Sequence, residues 1–242
     1  MVRIAGVVGG LLVCVPLHYA WRLFRRRSPW PRIFLRWVGR CAGMHAEIVG
    51  RPLPRDVLFV ANHSSWLDIM LLAGATGAAF VSKAEVADWP LFGWMARLNR
   101  TIFVARNERR SVHDQAGALR HALAEGQPVA LFPEGTTDGG VDVLPFRASL
   151  LAAVFPPLPR LRVQPVAIDY GPVGPDIAWT DGETAAANVR RILSRPGSTK
   201  VVLTFLAPMH AAEADNRKAL ATAARDAIVS TLDASALRHH AL

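Results

Sequence analysis

Val57-Leu58-Phe59-Val60-Ala61-Asn62-His63-Ser64-Ser65-Trp66-Leu67-Asp68 passes without transition from five apolar residues to a polar run. A short apolar block bounded in this way reads as a buried strand that runs out into a loop. The loop carries an imidazole and, after four intervening residues, a carboxylate. Histidine titrates near neutrality, and a carboxylate bonded to one ring nitrogen fixes the tautomer and stabilises the imidazolium, so the pair is equipped to take a proton from an alcohol. Taken alone, the pair is weak evidence, and a surface histidine capping a turn is the reading that starts ahead.

Further along, the apolar Pro128-Val129-Ala130-Leu131-Phe132 runs into Pro133-Glu134-Gly135-Thr136, a second strand with polar residues at its end. Thr101-Ile102-Phe103-Val104-Ala105-Arg106 is a third such block, and Val163-Gln164-Pro165-Val166-Ala167-Ile168 a fourth. The full pattern predicts strands over 57–61, 79–82, 101–105, 128–132, 162–168 and 201–206. Between them it predicts helices over 66–75, 87–97, 110–124, 147–155, 184–194 and 213–236, with a turn-rich loop over 134–145. Such alternation specifies an α/β fold, a single domain with a mainly parallel central sheet flanked by helices. An N-terminal membrane-associated helical segment, 1–45, is expected to precede a domain over 46–242.

The four blocks, taken in chain order, resemble the four motifs of the glycerolipid acyltransferase family, which includes the 1-acylglycerol-3-phosphate acyltransferases. The resemblance covers residues 45–210. It implies a reaction in which an acyl group passes from the thioester of acyl-CoA or acyl carrier protein to a free lipid hydroxyl, foremost that of 1-acylglycerol-3-phosphate, giving phosphatidic acid. No cofactor beyond the acyl donor is implied. His63 would be the general base and Asp68 the residue that holds its ring. Ser64 and Ser65 adjoin the base, but the chain contains no G-x-S-x-G elbow, so direct transfer without an acyl-enzyme is the expectation.

In the third motif, the resemblance places Glu134 on the acceptor side and Gly135 where backbone passes close to ligand, with Thr136 next to them as a further substrate-binding candidate. The other reading of these residues is an ordinary turn. Arg106 matches the arginine of the second motif, and its planar fork suits a phosphate or carboxylate. It also fits a solvated charge among Glu108, Arg109 and Arg110. Lys83, in Lys83-Ala84-Glu85, corresponds to a segment near the mouth of the site in relatives, while Glu85 equally suits the first turn of a helix.

Two departures bear on the acceptor. The second motif commonly begins with glycine, whereas this chain has Arg100 there, which could reshape the pocket or supply an anion contact. The third commonly continues with arginine after Gly-Thr, whereas Thr137 follows Thr136 here. The missing cation would be replaced by Arg100, Arg106 or Arg147, or else the acceptor carries a different head group. In this the chain is similar to the lyso-ornithine lipid acyltransferases of the same family.

Composition fits a lipid-facing protein: 51% of the 242 residues are hydrophobic and the mean hydropathy is +0.22. Residues 4–17 carry no charge, and Arg22, Arg25, Arg26 and Arg27 follow an uncharged stretch that reaches Trp21. Trp30-Pro31-Arg32-Ile33-Phe34-Leu35-Arg36-Trp37-Val38 then mixes aromatic, aliphatic and basic residues as interfacial helices do. The expectation is an uncleaved anchor on the cytoplasmic side of the inner membrane, attracted to anionic lipids. A secretory signal is the rival reading, but Pro16-Leu17-His18-Tyr19-Ala20 offers no small-x-small cleavage site.

The net charge of +9 could suit nucleic acid, but no zinc, RNP or helix-turn-helix pattern accompanies it, so membrane phosphates and acidic acyl carriers are the expected partners. Cys14 and Cys41 are too few for a disulfide framework, and His210, His239 and His240 do not have metal-ligand spacing. Two other function classes remain: a membrane-bound hydrolase using the same histidine and aspartate on water, and a catalytically silent lipid binder.

Overall fold

The computed structural model describes residues 2–25, 28–104, 109–137, 139, 142–180 and 182–240. Two helices come first, α1 (Val2–Arg22) and α2 (Trp30–Cys41), followed by β1 (Met44–Gly50) and β2 (Val57–Ala61). Next are α3 (Leu67–Thr76), β3 (Ala79–Lys83), α4 (Pro90–Leu98), β4 (Ile102–Val104), α5 (Arg109–Ala124) and β5 (Val129–Leu131). The chain continues through β6 (Arg162–Asp169), the single turn α6 (Gly174–Ile177), α7 (Ala185–Ser194), β7 (Thr199–Phe205) and α8 (Arg217–His240).

The strands form one sheet in the order β1-β7-β6-β2-β5-β3-β4. The expected α/β fold with a mainly parallel sheet is present, and each expected strand appears with its ends displaced by no more than two residues. From β6 to β4 all neighbours are parallel, so these strands end along one edge. Among the described strands, only β6 and β7 pair antiparallel, which reverses β7 and the β1 strand parallel to it.

β2 is buried along its whole length because both of its faces are covered. Val57, Phe59 and Ala61 pack with Leu67, Leu71 and Leu72 of α3 and Ile192 of α7. Leu58 and Val60 point the other way, toward Leu119 and Leu123 of α5 and Leu220 and Ala224 of α8. Alternation along one strand thus divides the core into two layers. Each fully buried Leu or Phe in them stabilises the fold by about 1.5–3 kcal/mol relative to exposure.

Four local readings differ from the structure. β1 was not expected, because this edge strand buries only its first residue and so lacks an apolar run. It begins at Met44, two residues before the boundary expected at 46. The segment expected as a helix over 147–155 is a 3-10 helix, Ala148–Val154, anchored where Arg147 N donates to Pro133 O at 2.9 Å and stopped before Pro156. The helix expected over 87–97 is divided: a 3-10 turn, Ala84–Asp88, precedes α4, which starts at Pro90, where a missing N–H costs nothing. α8 begins later than expected because Asn216 Oδ1 accepts from Lys218 N and Ala219 N, capping the helix there.

Among the described residues, α1 alone is long and apolar enough to cross a membrane. It leaves Val2, Val8, Leu12 and Val13 exposed. Its other side packs on α2, where Trp37 Nε1 donates to Gly6 O at 2.8 Å. Arg3 fastens its start to the α/β domain, donating through Nη1 to Ala42 O at 2.8 Å and through Nη2 to Gly197 O.

Candidate active site

The site lies where β2 and β5, adjacent and parallel, run out at the same edge of the sheet, the usual ligand position in α/β folds. β2 stops at Ala61, and the Asn62 side chain continues its pairing: Nδ2 donates to Ile168 O at 3.0 Å and Oδ1 accepts from Ile168 N at 2.8 Å. The loop that follows therefore leaves the sheet from a fixed point, with His63 as its first free residue. At the end of β5 stands Glu134, only 2% exposed. One of its carboxylate oxygens accepts from His63 N at 2.7 Å and the other from Leu144 N at 2.8 Å. Glu134 thus joins the backbones of two loops.

Asp68 occupies the first turn of α3, where the helix dipole favours a negative charge, and is fully buried. A buried carboxylate is costly unless its oxygens are bonded, and these are. Oδ2 meets His63 Nδ1 at 2.9 Å and accepts from Ser64 N and Ser65 N, each at 2.8 Å. Oδ1 accepts from the phenol of Tyr170 at 2.6 Å. Burial, and after it the neighbouring Asp68 charge, pushes the ionisation of Tyr170 well above its usual range, so the phenol stays a donor.

The four-residue spacing between His63 and Asp68 now has a geometric reason. It is the length of loop that lets a first-turn carboxylate reach back to two backbone N–H groups and the preceding imidazole. Phe132 lies against the other side of that ring, with centroids 4.1 Å apart, and Phe80 stacks behind Phe132. The His63 side chain retains 18% exposure. With Nδ1 facing a carboxylate, Nε2 is the nitrogen left to accept a proton, and among the described residues nothing bonds to it.

The remaining sequence candidates are distributed unevenly. Gly135 follows Glu134 in the left-handed region, φ +74°, and a side chain there would meet the Arg147 guanidinium at about 3.2 Å. Arg147, one of the cations that could replace the missing arginine, is therefore held against this motif. Thr136 is exposed beside it. Lys83 ends β3 on the same edge of the sheet as His63. Arg106 lies outside the described residues. Arg100 precedes β4 and so stands at the opposite edge; the structure does not bring it to His63. Its φ of +60° is the conformation glycine adopts freely, which is what a small residue at that position would serve.

Several contributors escaped the sequence reading. Tyr170 and Phe132 are, like His63, residues at the ends of apolar strands, and that shared position was the available signal. A further tie comes from Trp179, whose N donates to Ser64 O at 2.8 Å and whose O accepts from Thr137 Oγ1 at 3.1 Å. Trp66 Nε1 donates to Asn188 Oδ1 at 3.0 Å, and Asn188 and Arg191 both donate to Glu183. Glu183 is held at about 2, far below the usual carboxylate range, by the Arg191 hydrogen bond first and the Asn188 one next. These contacts clamp the segment between β6 and α7 onto the loop that carries His63. Among the described residues, no group of three or more His, Cys, Asp or Glu side chains is placed to hold a metal ion.

Comparison with known proteins places this edge of the sheet in context. The family described as Acyltransferase matches residues 46–169. A lyso-ornithine lipid O-acyltransferase from Rhodobacter capsulatus is 35% identical over an alignment that covers 91% of this chain and 85% of that protein. A 1-acyl-sn-glycerol-3-phosphate acyltransferase from Neisseria gonorrhoeae is 41% identical over a shorter alignment, 42% of this chain and 41% of its own length. Among solved structures, the 1-acyl-sn-glycerophosphate (LPA) acyltransferase PlsC from Thermotoga maritima superposes with a TM-score of 0.67 at 20% identity, covering 96% of this chain and 97% of that one, a match of fold.

Proposed function

Because this chain belongs to the Acyltransferase family, we propose that it esterifies the hydroxyl of a membrane lysolipid with an acyl group from a thioester, His63 acting as general base, and that the acceptor is a lyso-ornithine lipid. The observation that carries the chemistry is the 2.9 Å contact between His63 Nδ1 and the buried Asp68 carboxylate. It directs Nε2 toward the acceptor. As the acceptor oxygen attacks the thioester carbonyl, its proton passes to Nε2 and the new C–O bond forms. The C–S bond then breaks, and the imidazolium returns the proton to the departing thiolate. Asp68 stabilises the imidazolium in between, and the bond from Glu134 to His63 N keeps the ring at its station.

Two observations support the acceptor. A relative 35% identical over 91% of this chain is named for lyso-ornithine lipid, and its alignment includes regions outside the 46–169 core. In addition, the position after Thr136 is Thr137, whose hydroxyl is engaged with Trp179 O. An ornithine head group presents a carboxylate in place of a phosphate monoester, and a single guanidinium such as that of Arg147 matches one carboxylate. Lysophosphatidate is the second reading, favoured by the 41% identity to the Neisseria enzyme across the stretch they share.

The donor is acyl-CoA or acyl carrier protein, used as a substrate. α1, with α2 and its arginines beside it, would anchor the protein at the cytoplasmic face of the membrane, where both donors occur. The test is a purified-enzyme assay in which lyso-ornithine lipid and lysophosphatidate compete for one acyl thioester. A preference for lyso-ornithine lipid of at least about tenfold in kcat/KM is expected. Equal or reversed preference rejects the acceptor assignment, and fatty acid release without any acceptor would reject transfer in favour of hydrolysis.

A further inference from the structure

We propose that Tyr170 is a positioning residue of the transfer reaction: its phenol O–H, 2.6 Å from Asp68 Oδ1, fixes the carboxylate that orients His63 and moderates how strongly that carboxylate draws on the imidazole. The inference rests on the reading of His63 as general base.

A buried tyrosine is often no more than a core residue, and Tyr170 does belong to the layer containing Leu67, Ile168 and Ile177. Packing alone would be served by phenylalanine, since a buried hydroxyl adds a donor that must find a partner. The partner here is the carboxylate bonded to the His63 ring. Tyr170 comes immediately after β6, so the strand that receives Asn62 also delivers the phenol, and one strand end registers both the base and its acid. Asp68 is thereby divided by function. Oδ2 serves the loop and the imidazole, while Oδ1 serves Tyr170. With Oδ1 tied, the carboxylate cannot rotate away from His63 without breaking a short hydrogen bond to a charged acceptor, which is among the stronger kinds.

The electrostatic consequence has a definite sign. A donor on Oδ1 draws negative charge away from Oδ2. Its removal leaves Oδ2 more negative, stabilises the imidazolium, and reduces the share of neutral His63 at a given pH. The acid limb of the pH profile of kcat/KM must then move to higher pH. A stronger donor at the same position must move it lower.

Both directions can be reached, because the chain contains two tyrosines, Tyr19 and Tyr170. Tyr19 is exposed on α1, where its hydroxyl accepts from Trp94 Nε1. In Tyr170→Phe, full-length enzyme assayed in vesicles should show the acid limb displaced upward by about 0.5–1 pH unit, a three- to tenfold loss on the limb that is regained at higher pH. In Tyr19→Phe protein produced with 3,5-difluorotyrosine, position 170 alone carries the more acidic phenol, and the limb should move downward. The fluorine resonance there should also titrate together with the limb. If Tyr170→Phe does not fold, the fluorinated protein decides the matter. Unmoved limbs alongside an inactive His63→Ala enzyme would reduce Tyr170 to packing and overturn this proposal alone. Full turnover in His63→Ala would remove the general-base reading, and this inference with it.

Discussion

Phe132 lies nearly flat on the imidazole of His63, with ring planes inclined by 13°. The ring is thus restrained on a face by an aromatic wall and at an edge by Asp68. Rotation of the imidazole would forfeit both contacts. Phe132→Ala should lower kcat by about tenfold to a hundredfold, as expected for misplacement of a reacting group, with a smaller change in KM. Steady-state kinetics of the purified variant checks this, and an unchanged kcat would show that Asp68 alone suffices.

His63→Ala should reduce acyl transfer by about 10²–10⁴-fold, the usual contribution of a positioned base. The circular dichroism and vesicle binding of the variant should match those of the parent. Asp68→Asn should lose activity on a similar scale, because an amide can turn a donor toward Nδ1 and leave the wrong tautomer. Wild-type turnover in either variant would rule out the role assigned to that residue.

Glu134→Gln tests whether the third-motif carboxylate is a clamp. Glu134 accepts from His63 N and Leu144 N with separate oxygens, whereas glutamine has one acceptor oxygen and would point an N–H₂ at one of those backbone donors. The expected cost is about 1–3 kcal/mol of stability for the buried N–H left unpaired. Denaturant unfolding would measure it. A variant as stable as the parent, with only acceptor KM raised, would instead make Glu134 a substrate contact.

Glu183 gives the fold a pH dependence. Its carboxyl is lowered to about 2 by Arg191 and Asn188, below its value of about 4.3 in an unfolded chain. The stabilisation is therefore fully present above the unfolded value and is lost as pH falls toward the folded one. The thermal midpoint of the parent should exceed that of Glu183→Gln near neutrality, and the difference should close between about pH 4.5 and about pH 2. A difference independent of pH across that window would mean that the clamp does not depend on charge.

The sheet was legible in the sequence because its central strands are short apolar runs with polar ends, a pattern produced by burial on both faces. The same ends expose most of the candidate site, since His63, Lys83 and Glu134 all stand where such runs stop. β1 was hidden for the converse reason. As an edge strand with exposed side chains, it owes its conformation to backbone pairing with β7, on which composition is silent. Tyr170 was hidden by distance along the chain, 102 residues from Asp68, a separation no local pattern bridges. Arg100 was singled out by its place in the motif, and its left-handed backbone belongs to the turn that ends α4, a conformation that no apolar pattern signals.

The guanidinium of Arg3 fastens the start of α1 to two separate carbonyls, that of Ala42 at the end of α2 and that of Gly197 just before β7. Such a strut lets little slack accumulate between the anchor and the sheet. On the proposed reading of α1 as an anchor, the imidazole would be held at a single elevation above the acyl chains. Hydroxyls floating a few ångströms too high or too low would pass by unesterified, so lysolipids would be sorted by altitude as well as by head group.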